Sequence, residues 1–236
     1  MSELKRIDAC AKRPIDIWTN YLFYPLSIRL VYLLRNTPVT PNQITIFSLF
    51  LCLIGCLGFS TGIRGDVIAG LVLVEISYVF DCADGQMARY RQQFSAIGGW
   101  LDQVADRIKE FAVYFSLAYG YTRWHPNAMN VWAWAMTSLF ALYLLEYYGQ
   151  IRFKPREGTG AGAGSPDSTS RFYQVQRWRS FIPFRGFIIG EQYFALLVFV
   201  AFNAISAFFH FVAILGLLMC AYRPAVQLYK WSRGLA

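Results

Sequence analysis

The chain has 236 residues, 56% of them hydrophobic and 18% aromatic, with only 15% charged. Apolar runs at that density belong to membrane helices and exclude an ordinary soluble core. The net charge of +8 would suggest nucleic acid in a soluble protein, but here Lys and Arg gather between the apolar runs, so no nucleic-acid partner is expected.

Residues Met1–Thr19 carry seven charged side chains and no early apolar run, so a cleavable leader is not expected. Asp16–Asn36 mixes aromatic and aliphatic residues with Arg29 and Arg35 and is interrupted by Pro25. It reads as an interfacial amphipathic helix on the cytoplasmic leaflet, within a cytoplasmic N-terminal region 1–38. A central arginine and a proline make it a poor span.

Six spans follow, at 41–62, 66–88, 97–121, 128–151, 187–204 and 206–226, each near the ~20 residues that cross the hydrocarbon. The fifth and sixth require a tight hairpin. The connection after the second span carries Arg89 and Arg91, and that after the fourth carries seven Lys and Arg. The connections after the first, third and fifth hold only Arg64 and Arg123. The positive-inside rule then puts both termini in the cytoplasm. The expected fold class is an all-α, multi-pass integral membrane protein, with one six-helix unit over 39–236. Within it, 153–180 reads as a flexible cytoplasmic loop, because Arg156–Arg171 is rich in Gly and Ser. Its GTGAGAG run follows no strand and lacks the lysine of a phosphate-binding loop. Five scattered cysteines (Cys10, Cys52, Cys56, Cys82, Cys220) give no disulfide framework, and Cys52 and Cys56 read as packing.

Four acids interrupt this pattern. Asp81 and Asp84 are three apart, Asp102 and Asp106 four apart, so each pair shares a helix face. An antiparallel pairing of the second and third spans brings all four together just inside the membrane. Carboxylates that close need cations, and all-oxygen ligation suits Mg²⁺ or Mn²⁺. Four acids can bridge two such ions and clamp a phosphoryl group. Gly85 and Ala88 leave room for a ligand against the backbone, Arg89 suits phosphate oxygens, and Gly98 permits close helix contact. Three other readings exist: structural ion pairs with Arg89, Arg107 or Lys109, a transporter binding ions or protons through these carboxylates, and a membrane prenyltransferase. The first leaves the glycine and alanine spacing unexplained, the second lacks a visible repeat, and the third lacks a second acid-rich motif. Elsewhere, Glu75 either lines the pocket or is protonated and hydrogen-bonded, and Glu146 and Glu191 either face an acceptor or pair with Arg152 or Arg185.

The run Asp81-x-x-Asp84-Gly85-x-x-Ala88-Arg89, then Gly98, Asp102 and Asp106, resembles the signature of the CDP-alcohol phosphotransferase (phosphatidyltransferase) family at every fixed position. The "TPNQIT" of Thr40–Thr45 also resembles that family, as does the six-span layout. The resemblance implies transfer of a phosphatidyl or other phosphoryl-alcohol group from a CDP-alcohol, with CDP-diacylglycerol the favoured donor, to an acceptor hydroxyl with release of CMP. It implies that Asp81, Asp84 and Asp102 ligate two ions, Mg²⁺ or Mn²⁺, and that Asp106 touches metal and serves as general base. Asn42, Thr45, Gly85, Ala88, Arg89 and Ser95 would form the nucleotide site, facing the cytoplasm. Arg152, Arg156, Arg177, Arg179 and Arg185 could bind a phosphorylated acceptor, although positive-inside topology and anionic lipids would also place arginines there. Membrane lipids are expected partners, and a homodimer is compatible with this layout.

Overall fold

The computed structural model describes residues 3–12, 16–150 and 189–233, and these are helical, with no strand among them. In chain order the helices are α1 (Glu3–Ala9), α2 (Tyr24–Leu34), α3 (Pro41–Thr61), α4 (Arg64–Arg91), α5 (Ala96–Trp124), α6 (Asn130–Gln150), α7 (Ile189–Ala201) and α8 (Ile205–Ser232). A π-helical turn, Thr19–Phe23, leads into α2. The all-helical class expected from sequence is therefore found. α3 to α8 match the six expected segments, with bounds differing by a few residues and α8, which contains Pro224 as expected, running on to Ser232. Pro25 stands inside a helical run that is continuous over 17–34, at the second residue of α2 and directly after the π-helical turn, so the proline shifts the hydrogen-bond pattern without ending the helix. α1 was not expected at all.

α3 and the Ile205–Tyr229 part of α8 are long and apolar enough to cross a membrane. α3 is apolar on opposite faces. Ile44, Cys52 and Phe59 are buried on one side, while Phe47, Phe50, Ile54 and Leu57 are exposed on the other. A helix that is apolar all round suits lipid better than water. α4 and α5 score lower on hydropathy because they carry the acids and arginines of the motif.

Local chemistry sets the ends of α3. Thr40 accepts from the Gln43 backbone N–H while the Gln43 side chain accepts from the Thr40 N–H, a reciprocal capping box with Pro41 in the first turn. At the other end Gly62 adopts φ +67°, a left-handed C-cap.

Small residues let the helices of the site approach closely. A Cβ on Gly70 would stand 2.4 Å from the Gly55 carbonyl oxygen, and one on Gly58 2.6 Å from that of Asp66, which fixes the α3–α4 crossing. A Cβ on Gly120 would stand 1.9 Å from the Phe59 carbonyl oxygen, where α5 crosses α3. Gly120→Ala is expected to cost about 1–3 kcal/mol through overpacking, read as a lower thermal midpoint in detergent. Gly65→Ala, with open space around it, should leave the midpoint unchanged.

Around this core, α2 docks on α4 through the Ser27 hydroxyl, which donates to Gln86 Oε1 at 3.1 Å. Arg91 fixes the link from α2 to α3 by donating to the carbonyls of Leu34, Thr37 and Val39 at 2.8, 2.7 and 2.5 Å. α7 reaches α4 through Tyr193, stacked on Tyr78 with ring centroids 4.2 Å apart. Phe202–Ala204 form the tight hairpin before α8.

Candidate active site

Three helix ends converge. The last turns of α4 carry Asp81, Asp84, Gly85, Ala88 and Arg89, and the first turns of α5 carry Gly98, Asp102 and Asp106. The chain reverses between them in four residues. Gln92 takes the left-handed conformation at φ 55° to end α4, and Ser95 caps α5 by accepting from the Gly98 N–H at 2.9 Å. The start of α3 supplies Asn42 and Thr45.

Carboxylate oxygens of Asp81, Asp102 and Asp106 lie within 4.8 Å of one another. Asp84 is not part of that trio. It is buried and turned toward α3, where it accepts a 2.5 Å hydrogen bond from the Thr45 hydroxyl. The expectation that all four acids point to one spot is refined accordingly: three cluster, and the fourth is one turn away on the α3 side.

A lysine stands among them. Lys109 is 1% exposed; its ammonium donates to Asp81, lies 3.3 Å from Asp106 Oδ1 and donates to the Ser48 hydroxyl at 3.4 Å. Arg107, by contrast, turns to Glu110 at 2.8 Å. Sequence reasoning named Lys109 only as one of three possible ion partners. Its position three residues after Asp106 was the available signal, since that spacing puts both on one face of α5. Both carboxyl oxygens of Glu75, six residues before Asp81, are buried without a hydrogen-bond partner.

Beside the acids opens a cleft of about 580 Å³ empty volume. Asn42 and Thr45 line it from α3, Asp84, Gly85, Ala88 and Arg89 from α4, and Ser95, Gly98 and Asp102 from the start of α5. Every residue expected in the nucleotide site thus faces one cavity. The glycines have steric reasons: a Cβ on Gly98 would stand 2.7 Å from Asn42 Oδ1, and one on Gly85 3.2 Å from an Arg89 guanidinium nitrogen. Arg89 is held at the cleft by donating from Nε to the Cys10 carbonyl at 2.5 Å. Arg152, Arg156, Arg177, Arg179 and Arg185 lie outside the described residues, as does the loop 153–180.

The profile of the CDP-alcohol phosphatidyltransferase family matches residues 38–156, half of the chain and the part that builds this cleft. The chain belongs to this family. Among curated family relatives, the archaetidylinositol phosphate synthase of Pyrococcus horikoshii is 29% identical over 99 residues, covering 42% of this chain and 51% of that protein. A bifunctional IPC transferase and DIPP synthase of Aquifex aeolicus is 26% identical over 181 residues, covering 75% of this chain and 36% of that protein. The chain thus aligns with about half of the first relative's length and about a third of the second's. In fold, it is similar to the crystal structure of Mycobacterium tuberculosis phosphatidylinositol phosphate synthase with CDP-DAG bound. That match has a TM-score of 0.54 at 22% identity and covers 85% of this chain and 92% of the other. The same synthase with manganese and citrate gives a TM-score of 0.51, again at 22% identity, covering 84% and 87%.

Proposed function

We propose that this member of the family transfers the phosphatidyl group of CDP-diacylglycerol to a hydroxyl of a phosphorylated polyol, of the inositol phosphate kind, and releases CMP. The observation that carries this reading is the trio of carboxylates within 4.8 Å beside a cleft lined by Asn42, Thr45 and Arg89. Family membership favours transfer over transport, and the names of the archaeal and mycobacterial relatives support the acceptor class.

The donor set suits hard divalent ions, being all oxygen. One buried ammonium cannot neutralise four carboxylates, so ionising them all calls for further cations. Asp81, Asp84, Asp102 and Asp106 would hold two ions, Mg²⁺ or Mn²⁺. Bound there, the ions supply electrostatic stabilisation of the pyrophosphate and of departing CMP. The chain does the rest. Arg89 donates to phosphate oxygens, Gly85 and Gly98 let the nucleotide approach the backbone, and Asn42 and Ser95 offer polar contacts at its edge. Asp106 accepts the acceptor's hydroxyl proton as the new oxygen–phosphorus bond forms and the pyrophosphate bond to CMP breaks. Arg152, Arg156, Arg177, Arg179 and Arg185 would hold the acceptor's phosphate.

α3 to α8 would span the membrane six times, with both termini and the cleft on the cytoplasmic side. The apolar exposed stripe of α3 and the Lys and Arg at the cleft-side helix ends support that orientation.

The test is CMP release by purified protein supplied with CDP-diacylglycerol and a panel of alcohols. Turnover should require inositol phosphate or a similar phosphorylated polyol, stop in EDTA and return with Mg²⁺ or Mn²⁺. Full turnover in chelator, or no CMP from any CDP-alcohol, would overturn the reading.

A further inference from the structure

Two residues that the transfer chemistry does not use, Gln93 and Phe94, stand between the cap that ends α4 and the cap that begins α5, and both line the cleft. Their backbone is fixed from either side. Gln92 holds its left-handed conformation, the Gln93 N–H donates to the Ala88 carbonyl at 2.9 Å, and Ser95 caps α5. Phe94 is thereby held out with 67% of its surface exposed. Ile97 and Trp100, close by on α5, are also exposed but do not line the cleft. Of these three apolar side chains, Phe94 alone faces it.

We infer that the Phe94 ring stacks on the pyrimidine base of the donor nucleotide. This rests on the proposed CDP-alcohol reading. The charged side chains lining the cleft are Asp84, Arg89 and Asp102, whereas the α4–α5 turn and the first turn of α5 carry no charge. Phosphates therefore belong at the first end and an uncharged group at the second. From Ser95 to Asp102 the chain rises about 10 Å at 1.5 Å per residue, which leaves room for a ribose between the two. Gly99 lines the cleft at the uncharged end, and a Cβ on it would meet nothing within 4 Å, so open space lies against the backbone there. Pro41 adds an apolar wall from α3. An aromatic face supports any base, so Phe94 contributes affinity rather than a choice between bases, and stacking removes its exposed ring from water.

The test compares two inhibitors of turnover with Mg²⁺ present: CMP, and ribose 5-phosphate, which lacks the base. Phe94→Ala should weaken inhibition by CMP about fivefold or more, the worth of one stacked base, and leave inhibition by ribose 5-phosphate unchanged. It should also raise KM for CDP-diacylglycerol with a much smaller change in kcat. Phe94→Tyr and Phe94→Trp should recover CMP inhibition, while Phe94→Leu, apolar but without an aromatic face, should not. Ile97→Ala should leave both inhibitors unaffected. Unchanged CMP inhibition in Phe94→Ala, or an equal loss with ribose 5-phosphate, would overturn the inference and leave the proposed function standing. So would full recovery in Phe94→Leu, which would make the ring an apolar anchor in the bilayer surface. Absence of any CDP-alcohol turnover in the wild type would overturn both.

Discussion

Asp106→Asn is expected to lower CMP release by roughly 10²–10⁴-fold, the size of a lost general base, while Mg²⁺-dependent binding of CDP-diacylglycerol largely survives. The amide keeps the size of the carboxyl group and one oxygen able to touch a cation, but it cannot take a proton. Lys109 also keeps its partner at Asp81 in this variant, so the cluster does not lose its internal cation. Asp81→Asn should behave differently. It removes a charge from the trio and a partner of the buried lysine together, so metal and donor binding should both fall. Asp84→Asn should weaken metal binding too, and its hydrogen bond from Thr45 gives it a second effect on the α3 wall of the cleft. The check is donor binding measured beside turnover for each variant. Near-normal turnover in Asp106→Asn would take the base role from this residue and leave it a metal ligand.

The parts of this site legible in the sequence are those set by helix periodicity. Spacings of three and four put Asp81 beside Asp84 and Asp102 beside Asp106 whatever the rest of the chain does. Gly85 and Gly98 were readable for the same reason, because close approach is a local demand on a residue without a side chain. What could not be read depends on how one helix is rotated against another. Asp84 faces Thr45 rather than the other acids because α3 packs on that side of α4. Lys109 is three residues from Asp106, but only the crossing of α5 on α4 brings its ammonium to Asp81. α1 is hardest of all: seven residues, mostly charged, whose one deep anchor is Ile7. Its position is decided by Glu3 meeting Arg35 and Tyr90, which are far away in the chain. Hydropathy misleads at α4 and α5, which carry the acids and arginines of the motif in place of leucines.

Lys109→Met should lower the thermal midpoint of the metal-free protein more than any other single change at the site that preserves side-chain length. Two unit charges 4.8 Å apart, the limit for the trio's oxygens, repel by about 3–4 kcal/mol at an effective dielectric constant near 20. The ammonium offsets this from within, against Asp81 and Asp106. Removing one partner of a buried ion pair typically costs about 3–5 kcal/mol, because the remaining charge is left uncompensated. Methionine fills the volume, so the loss is electrostatic rather than a cavity. Bound divalent cations would replace the missing charge, and the rise in midpoint on adding Mg²⁺ should therefore be larger in Lys109→Met than in the wild type. Lys109→Arg keeps the charge and should fall between them. The measurement is thermal unfolding in EDTA and in Mg²⁺ for the three proteins. Equal midpoints in EDTA would mean that Lys109 does not hold the acids together, and a smaller Mg²⁺ increment in the variant would mean that the lysine assists the metal rather than standing in for it.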